Sequence, residues 1–196
     1  MLWGYGQPTL SMRISEVRSL PNYNLLVGCP RERERAASSE VRYFVGDLLG
    51  DPGLKITRTN VSGLLACHTT LDPVKVVHQL REFALENPYQ FRFAVRFTPL
   101  EFCIDSDMEE MVRVAKELGT KIQEEESFRV TVRRRHSTLE TMEVITAVAA
   151  VISRKVNLDN PDSTLWIEIV GDWTGMSLID PEKDILSIMS LRDDEY

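Results

Sequence analysis

Apolar positions in the first half of the chain change their period several times, and each change predicts a new element. The short apolar run at residues 23–28 predicts a central strand. Apolar residues then recur at helical spacing over residues 37–48, before a Gly- and Pro-containing turn at residues 50–53. Two further apolar runs, at residues 54–60 and 63–68, are typical of short strands. The pattern to this point is strand, helix, strand, strand.

The next segment completes a recognisable unit. Asp72 and Pro73 predict a helix start, as N-cap and first helical residue, for a helix that runs to about residue 86. Residues 89–98 alternate apolar with polar side chains, which is the period of a strand. The order β-α-β-β-α-β indicates an N-terminal ferredoxin-like domain, which we place at residues 22–100. Residues 1–21 show no periodicity, so we expect a flexible extension there.

A second unit is predicted at residues 101–190, followed by a tail at residues 191–196. Ser137 and Glu140 have the spacing of a capping box, which predicts that a helix begins there. The order α-β-α-β-β makes the whole chain an α+β protein. The predicted elements are a helix at 108–119, a strand at 128–133, a helix at 137–152, and strands at 165–170 and 176–179.

Charge is unevenly distributed along the 196 residues. The net charge of −7 argues against a nucleic-acid-binding protein when it is taken as a total. The first hundred residues carry a net charge of +3, however, and the remainder carries −10. Within that acidic half, residues 127–155 have a net charge of +4. The total therefore hides a basic segment inside an acidic domain.

The basic segment combines an arginine-rich strand with a predicted helix start. Arg129, Arg133 and Arg135 share one face of the strand, which we expect to point outward. The strand enters the helix predicted at Ser137, and free amides at a helix N-terminus together with arginine forks suit phosphate oxygens. The alternative is a solvated surface on which these arginines pair with the acidic run at residues 124–126. The residues by themselves leave both interpretations open.

Candidate catalytic chemistry is sparse. The three cysteines are far apart and form no C-x-x-C pair, so neither a disulfide framework nor a zinc site is predicted. His136 and Glu140 are four residues apart and lack a third metal ligand. Trp173 follows Asp172 in a predicted turn, where packing is favoured and stacking on a base is the alternative. We predict no catalytic residue, metal or cofactor, and the absence of a signal sequence indicates a cytoplasmic protein.

Three segments of the second unit resemble the THUMP domain, an RNA-binding module of tRNA-modifying proteins. They are residues 128–137, 156–162 and 166–171, which read FRVTVRRRHS, VNLDNPD and WIEIVG. Asn157 departs from the family, which usually has Asp at this position. The resemblance implies a ferredoxin-like domain followed by a THUMP α/β domain.

The resemblance also implies a function. THUMP proteins usually carry a catalytic domain, and we expect no room for one before Tyr196. The chain resembles stand-alone members that hold the tRNA acceptor stem and 3′ CCA end and present tRNA to an RNA cytidine acetyltransferase that makes N4-acetylcytidine. We therefore expect a non-enzymatic adaptor that binds neither membrane nor DNA. The alternatives are a protein-interaction module without RNA binding, a subunit of another tRNA-modifying enzyme, and an enzyme with an unrecognised site between the domains.

Ten positions are the candidate RNA contacts. We expect replacement of the three consecutive arginines at 133–135 by Ala to abolish tRNA binding and to leave the fold intact. The candidates are Arg129, Arg133, Arg134, Arg135, His136, Ser137, Thr138, Arg154, Lys155 and Trp173.

Overall fold

The computed structural model describes residues 22–193. The predicted extension at residues 1–21 and the last three residues of the predicted tail lie outside the described residues. Two five-stranded sheets and the helices that cover them confirm the α+β class.

The first unit follows the predicted order β-α-β-β-α-β. Its strands are antiparallel in the order β4-β1-β3-β2, and the helices cover one face of the sheet. Asp72 caps α2 by accepting hydrogen bonds from the N–H groups of Val74 and Lys75, as the sequence predicts. The elements are β1 (Leu25–Gly28), α1 (Glu34–Val41) with a π-helical continuation (Arg42–Leu48), β2 (Lys55–Arg58), β3 (Leu64–His68), α2 (Pro73–Glu86), a 3₁₀ turn (Pro88–Gln90) and β4 (Arg96–Pro99).

The alternating segment at residues 89–98 is mostly not a strand, so that prediction was wrong. Phe91 is fully buried and stacks on Phe44, with their ring centroids 4.1 Å apart. The carboxylate of Glu40 accepts hydrogen bonds from three successive N–H groups, those of residues 92–94, at 2.8–3.1 Å. A side chain thus takes the place of a neighbouring strand, and only the last residues of the alternation pair in the sheet.

The second unit contains one mixed sheet. In the order β5-β9-β8-β6-β7, β6 is parallel to both of its neighbours, whereas β8 and β9 are antiparallel. Helices α3 and α4 cover one face through an apolar core. The elements are β5 (Phe102–Asp105), α3 (Met108–Gly119), β6 (Ser127–Arg135), α4 (Thr141–Ala149), β7 (Lys155–Val156), β8 (Ser163–Val170) and β9 (Trp173–Ile179).

The predicted capping box does not form. Helix α4 begins at Thr141, and the side chain of its N-cap residue Glu140 makes no capping hydrogen bond. The Ser137 hydroxyl accepts a hydrogen bond from the N–H of Leu139, and His136 has a φ of 52°. The left-handed residue ends β6 in a turn, so the chain passes through a loop before the helix starts.

The C-terminal segment returns to the first unit, which corrects the predicted boundary at residue 190. Three short elements follow β9: α5 (Pro181–Asp184), β10 (Leu186–Ser187) and α6 (Ile188–Asp193). Strand β10 pairs with β4 at the edge of the first sheet. Leu186 and Ile188 are fully buried in the first core. The burial of these two residues anchors the segment. A run this short does not predict a strand from the sequence.

The two sheets pack against each other through the faces that their helices leave uncovered. The apolar contact between the two sheets contains Leu26 and Ala66 of the first sheet, together with Leu100, Val170 and Trp173. The outer face of the first sheet is therefore buried against the second unit. We call this packing of one sheet on the other the seam.

Gly175 in β9 sets how closely the sheets approach. A Cβ atom at this position would lie 2.6 and 2.7 Å from the two methyl carbons of Leu100, which is itself 1% exposed. We expect Gly175→Ala to lower the free energy of unfolding by about 1–3 kcal/mol, because the buried leucine has little room to move. Urea denaturation measures the change.

Gly46→Ala is the matched control for this substitution. A Cβ atom at Gly46 meets its nearest heavy atoms at 3.8 Å, which is ordinary contact. We expect this variant to be at least as stable as the unaltered protein, because Ala favours a helix more than Gly does. Equal unfolding midpoints for the two glycine variants would contradict the close packing at the seam.

Candidate nucleic-acid interface

An open cleft of about 800 Å³ lies at one end of the seam, and both units line it. The first unit contributes Tyr23 and residues 57–60. The second unit contributes three loops, at residues 105–107, 136–139 and 171–173. Of the ten predicted contacts, His136, Ser137, Thr138 and Trp173 are thereby brought together.

Backbone geometry places these loops at the cleft. The left-handed His136 turns residues 136–139 away from the end of β6. The N–H of Gly171 donates to the carbonyl of Arg135 at 2.9 Å, which ties the β8–β9 turn to the same point. Gly171 has a φ of 62°, and a Cβ atom there would lie 3.4 Å from the Asn60 amide nitrogen. The positive φ of this turn is the reason that a glycine is favoured there.

Trp173 acts mainly as a packing residue of the seam. The side chain is 7% exposed, and its ring centroid lies 5.2 Å from that of Tyr23. The two rings form part of the cleft lining and are also part of the seam. The packing alternative thus accounts for most of the Trp173 ring, and the Tyr23 ring beside it is half-buried.

The lining of the cleft is acidic. Asp105, Asp107 and Asp172 line the cleft, against one arginine, Arg58. The Asp107 carboxylate is engaged in capping α3, where it accepts hydrogen bonds from two backbone N–H groups. Oxygen acceptors of this kind suit the amino groups of bases and the hydroxyls of sugars. They do not suit phosphate.

A basic groove adjoins the cleft at Arg58. This groove, of about 420 Å³, is lined by Arg35, Arg42 and Arg58 together with Ser38 and Ser39. All three arginines are exposed, so their guanidinium groups are accessible to phosphate oxygens. No motif in the sequence predicted this groove. The net charge of +3 in the first hundred residues was its only signal.

Arg129, Arg133 and Arg135 share a face of β6, as predicted, but that face does not point outward. Arg133 lies 5.1 Å from the centroid of the Trp166 ring. Arg135 donates through Nη1 to Oε2 of Glu168 at 2.5 Å. Glu168 is 1% exposed and also accepts a hydrogen bond from Nε1 of Trp166 at 2.9 Å. The face is turned towards the seam because the opposite face of β6 covers the core under α3 and α4.

The other basic candidates lie apart from the cleft. Arg134 is exposed and lies 3.5 Å from the Glu140 carboxylate. Arg154 donates from Nε to the carbonyls of Ile122 and Gln123, which fixes the loop before β6. Arg129 donates to the carbonyl of Leu158 at 3.4 Å, and Lys155 is exposed on β7. Among residues 22–193, none of these side chains forms an ion pair with residues 124–126, the alternative that the sequence left open.

The predicted anion site at a helix N-terminus is not present after β6. The amides of the first turn of α4 lie beside the carboxyl-bearing residues Glu140 and Glu143, and negative charge at that position already complements the helix dipole. Glu140 also forms an ion pair with Arg134. Within the described part of the chain, no three His, Cys, Asp or Glu side chains gather as metal ligands. None of the helices described has the length and apolarity needed to cross a membrane.

Comparison with protein families assigns the second unit. The model of the THUMP domain matches residues 105–179, so the chain contains a THUMP domain. This span includes the arginine-rich strand and all three loops of the second unit that line the cleft. No curated protein matches the sequence.

Solved structures share the fold of both units. The structure of PH1313 from Pyrococcus horikoshii Ot3 has a TM-score of 0.59 at 17% identity and covers 84% of this chain. A 4-thiouridine synthetase solved in complex with RNA and ATP has a TM-score of 0.57 at 14% identity and also covers 84%. TrmN from Thermus thermophilus has a TM-score of 0.51 at 15% identity over 79% of the chain. The matched regions make up 55%, 42% and 44% of those chains, so this chain spans about half of their length.

The contact of Arg135 with Glu168 changes the stability that we expect of variants in which this arginine is replaced. Arg135→Ala leaves Glu168 buried without a cationic partner, so we expect a loss of about 3–5 kcal/mol in the free energy of unfolding. Replacing all three arginines at 133–135 would therefore not leave the fold intact, contrary to the prediction from sequence. Chemical denaturation monitored by tryptophan fluorescence measures the loss.

Arg134→Ala is the control, because it removes the adjacent exposed arginine. Its ion pair with Glu140 is exposed, and such pairs contribute less than about 1 kcal/mol. A loss in Arg135→Ala no larger than that in Arg134→Ala would contradict a structural role for the buried pair.

Proposed function

We propose that this protein binds tRNA by its acceptor stem and 3′ CCA end and presents it, without catalysing the reaction itself, to a separate tRNA-modifying enzyme. The observation that carries the proposal is the cleft at the seam, where loops of the THUMP domain meet the first unit. The RNA present in the structure of the similar 4-thiouridine synthetase supports RNA as the ligand.

The terminal nucleosides occupy the acidic cleft in this proposal. C and A both carry exocyclic amino groups, which donate hydrogen bonds to carboxylates such as Asp105. Asn60 and Thr138 offer an amide and a hydroxyl in the same lining. Because the lining lacks an excess of positive charge, the bases and sugars enter it and the phosphates stay outside.

The phosphates follow the basic groove in this proposal. Arg58 belongs to both the cleft and the groove, so a strand whose end lies in the cleft passes next to Arg35 and Arg42. Phosphate contacts position a nucleic acid without reading its sequence. The surface needed is small, which is compatible with the net charge of −7 on the whole chain.

The composition of the cleft lining supports the proposed adaptor role. His136 is the one histidine among the lining residues, and the neighbouring Ser137 hydroxyl accepts a backbone hydrogen bond within its own loop. The chain then contributes the position of the tRNA, and the partner contributes the bond chemistry. The partner we propose is an RNA cytidine acetyltransferase that makes N4-acetylcytidine, because the Arg-Arg-Arg-His-Ser turn resembles that group of adaptors.

One surface feature favours a protein partner. Met142 on α4 is 67% exposed, and with Ala147 it lines an apolar groove of about 430 Å³. Methionine is enriched at protein–protein interfaces. This groove supports an adaptor that contacts its enzyme, and equally the alternative of a subunit that serves another tRNA-modifying enzyme.

Substitution of Arg58 tests both the binding site and the adaptor role. We expect Arg58→Ala to weaken tRNA binding by about tenfold and to make the dependence of log K on log salt less steep by about 1, because one phosphate contact is lost. We also expect the unaltered chain to stimulate tRNA acetylation by the acetyltransferase, and Arg58→Ala to stimulate it less at limiting tRNA. Fluorescence anisotropy and acetyl transfer measure the two effects.

Arg92→Ala is the matched control, because Arg92 is an exposed arginine of the same unit outside the cleft and the groove. It should bind tRNA and stimulate acetylation like the unaltered chain. Equal affinities for the two variants would contradict the proposed phosphate path. Modification of tRNA by the purified chain alone would contradict the adaptor role.

A further inference from the structure

A second cavity, of about 210 Å³, opens at the seam next to the loop that contains Ser62 and Gly63. Arg96 of β4 lines it from the first unit, and Arg135 and Glu168 line it from the second. The cavity is distinct from the cleft, with which it shares no lining residue.

Arg96 is the unusual residue of this cavity. Its guanidinium carbon lies 5.7 Å from the centroid of the Trp166 ring. Its Nε atom is buried and has no hydrogen-bond partner among the described residues. Within the same part of the chain, Arg96 forms no ion pair with any carboxylate. A half-buried guanidinium without an acceptor is costly, because water no longer solvates it fully.

The surroundings of Arg96 add further positive charge. Arg133 lies over the same Trp166 ring, and Arg135 lines the same cavity. Glu168 is the one carboxylate among the lining residues, and it already accepts hydrogen bonds from Arg135 and from Trp166. The Glu34 carboxylate lies next to the cavity, where it accepts hydrogen bonds from the Ser62 hydroxyl and the N–H of Gly63. Burial, followed by repulsion from Arg133, lowers the pKa of Arg96, and attraction to Glu168 offsets only part of this effect. The cluster thus has a net charge of +2, from three arginines and one glutamate: Arg96, Arg133, Arg135 and Glu168.

We propose that this cavity binds an oxyanion of the phosphate class, with Arg96 as its main ligand and Arg135 beside it. The volume of about 210 Å³ corresponds to roughly seven water molecules at about 30 Å³ each, which is ample for one phosphate group. Arginine forks match the geometry of phosphate oxygens. The anion is either inorganic phosphate or a phosphate group of bound tRNA, and only the second source rests on the proposed function.

Substitution of Arg96 by Met tests the site. Met preserves much of the apolar contact with Trp166 and removes the charge. We expect Arg96→Met to be at least as stable as the unaltered protein in phosphate-free buffer, because an unpaired and repelled charge is gone. Isothermal titration with inorganic phosphate should show binding to the unaltered protein and affinity at least about tenfold lower in the variant.

Two comparisons separate specific binding from general salt effects. Phosphate stabilises proteins nonspecifically through exclusion from their surfaces, and this effect acts equally on Arg96→Met and on the control Arg92→Met. We expect Arg92→Met to bind phosphate as the unaltered protein does. Glu168→Gln keeps an acceptor for Arg135 and Trp166 but raises the positive excess, so it should bind phosphate more tightly. A purely structural role for the cluster does not predict that increase.

Measurement of tRNA binding by the same variant distinguishes the source of the anion. A loss of both phosphate and tRNA affinity in Arg96→Met identifies a tRNA phosphate, whereas a loss of phosphate affinity alone identifies a free anion. Phosphate affinity unchanged in Arg96→Met, or no phosphate binding by the unaltered protein, would overturn the site. Failure of the unaltered chain to bind tRNA would overturn the proposed function and would leave the result with inorganic phosphate standing.

Discussion

Close packing of Leu100 against Gly175 brings two sheets together through the faces that their helices leave open. Each sheet would otherwise expose an apolar face to water, so the burial of these faces stabilises both units at once. The cleft and the smaller cavity both lie along this seam. The candidate interface therefore exists only when the two units are packed together, and neither unit contains it by itself.

Electrostatics at the seam explains how an acidic protein can present a nucleic-acid site. Two of the arginines that stood out in the sequence, Arg133 and Arg135, are committed to Trp166 and Glu168. Exposed arginines such as Arg58 lie instead on the first unit, beside an acidic cleft. Phosphate and base thus have separate surfaces of opposite charge. The net charge of −7 averages over both of these surfaces.

Local signals predicted much of the fold. The cap at Asp72 and the helical spacing before Gly119 depend on neighbouring residues, and both appear where the sequence placed them. The segment at residues 89–98 was misread because Glu40, fifty residues earlier in the chain, takes the role of a partner strand. The return of Leu186 to the first sheet depends on a similar distant contact. Such contacts leave no periodic pattern in the sequence.

The candidate site was predicted only in part, because some of its residues meet through contacts between distant parts of the chain. His136 and Thr138 follow directly from the end of a strand that the sequence identified, whereas Asn60 and Arg58 reach them only across the seam. Alternation along β6 correctly placed Arg133 and Arg135 on one face. It gives no information about which face is buried, because that depends on the second sheet.

The central claim is that the cleft holds the 3′-terminal nucleosides of tRNA. Its most direct test is the affinity of the unaltered chain for one tRNA with and without its CCA end, measured by fluorescence anisotropy at a fixed salt concentration. The account predicts that removal of the CCA end weakens binding by about tenfold or more, which corresponds to at least about 1.4 kcal/mol. Equal affinity for the two tRNAs would contradict it.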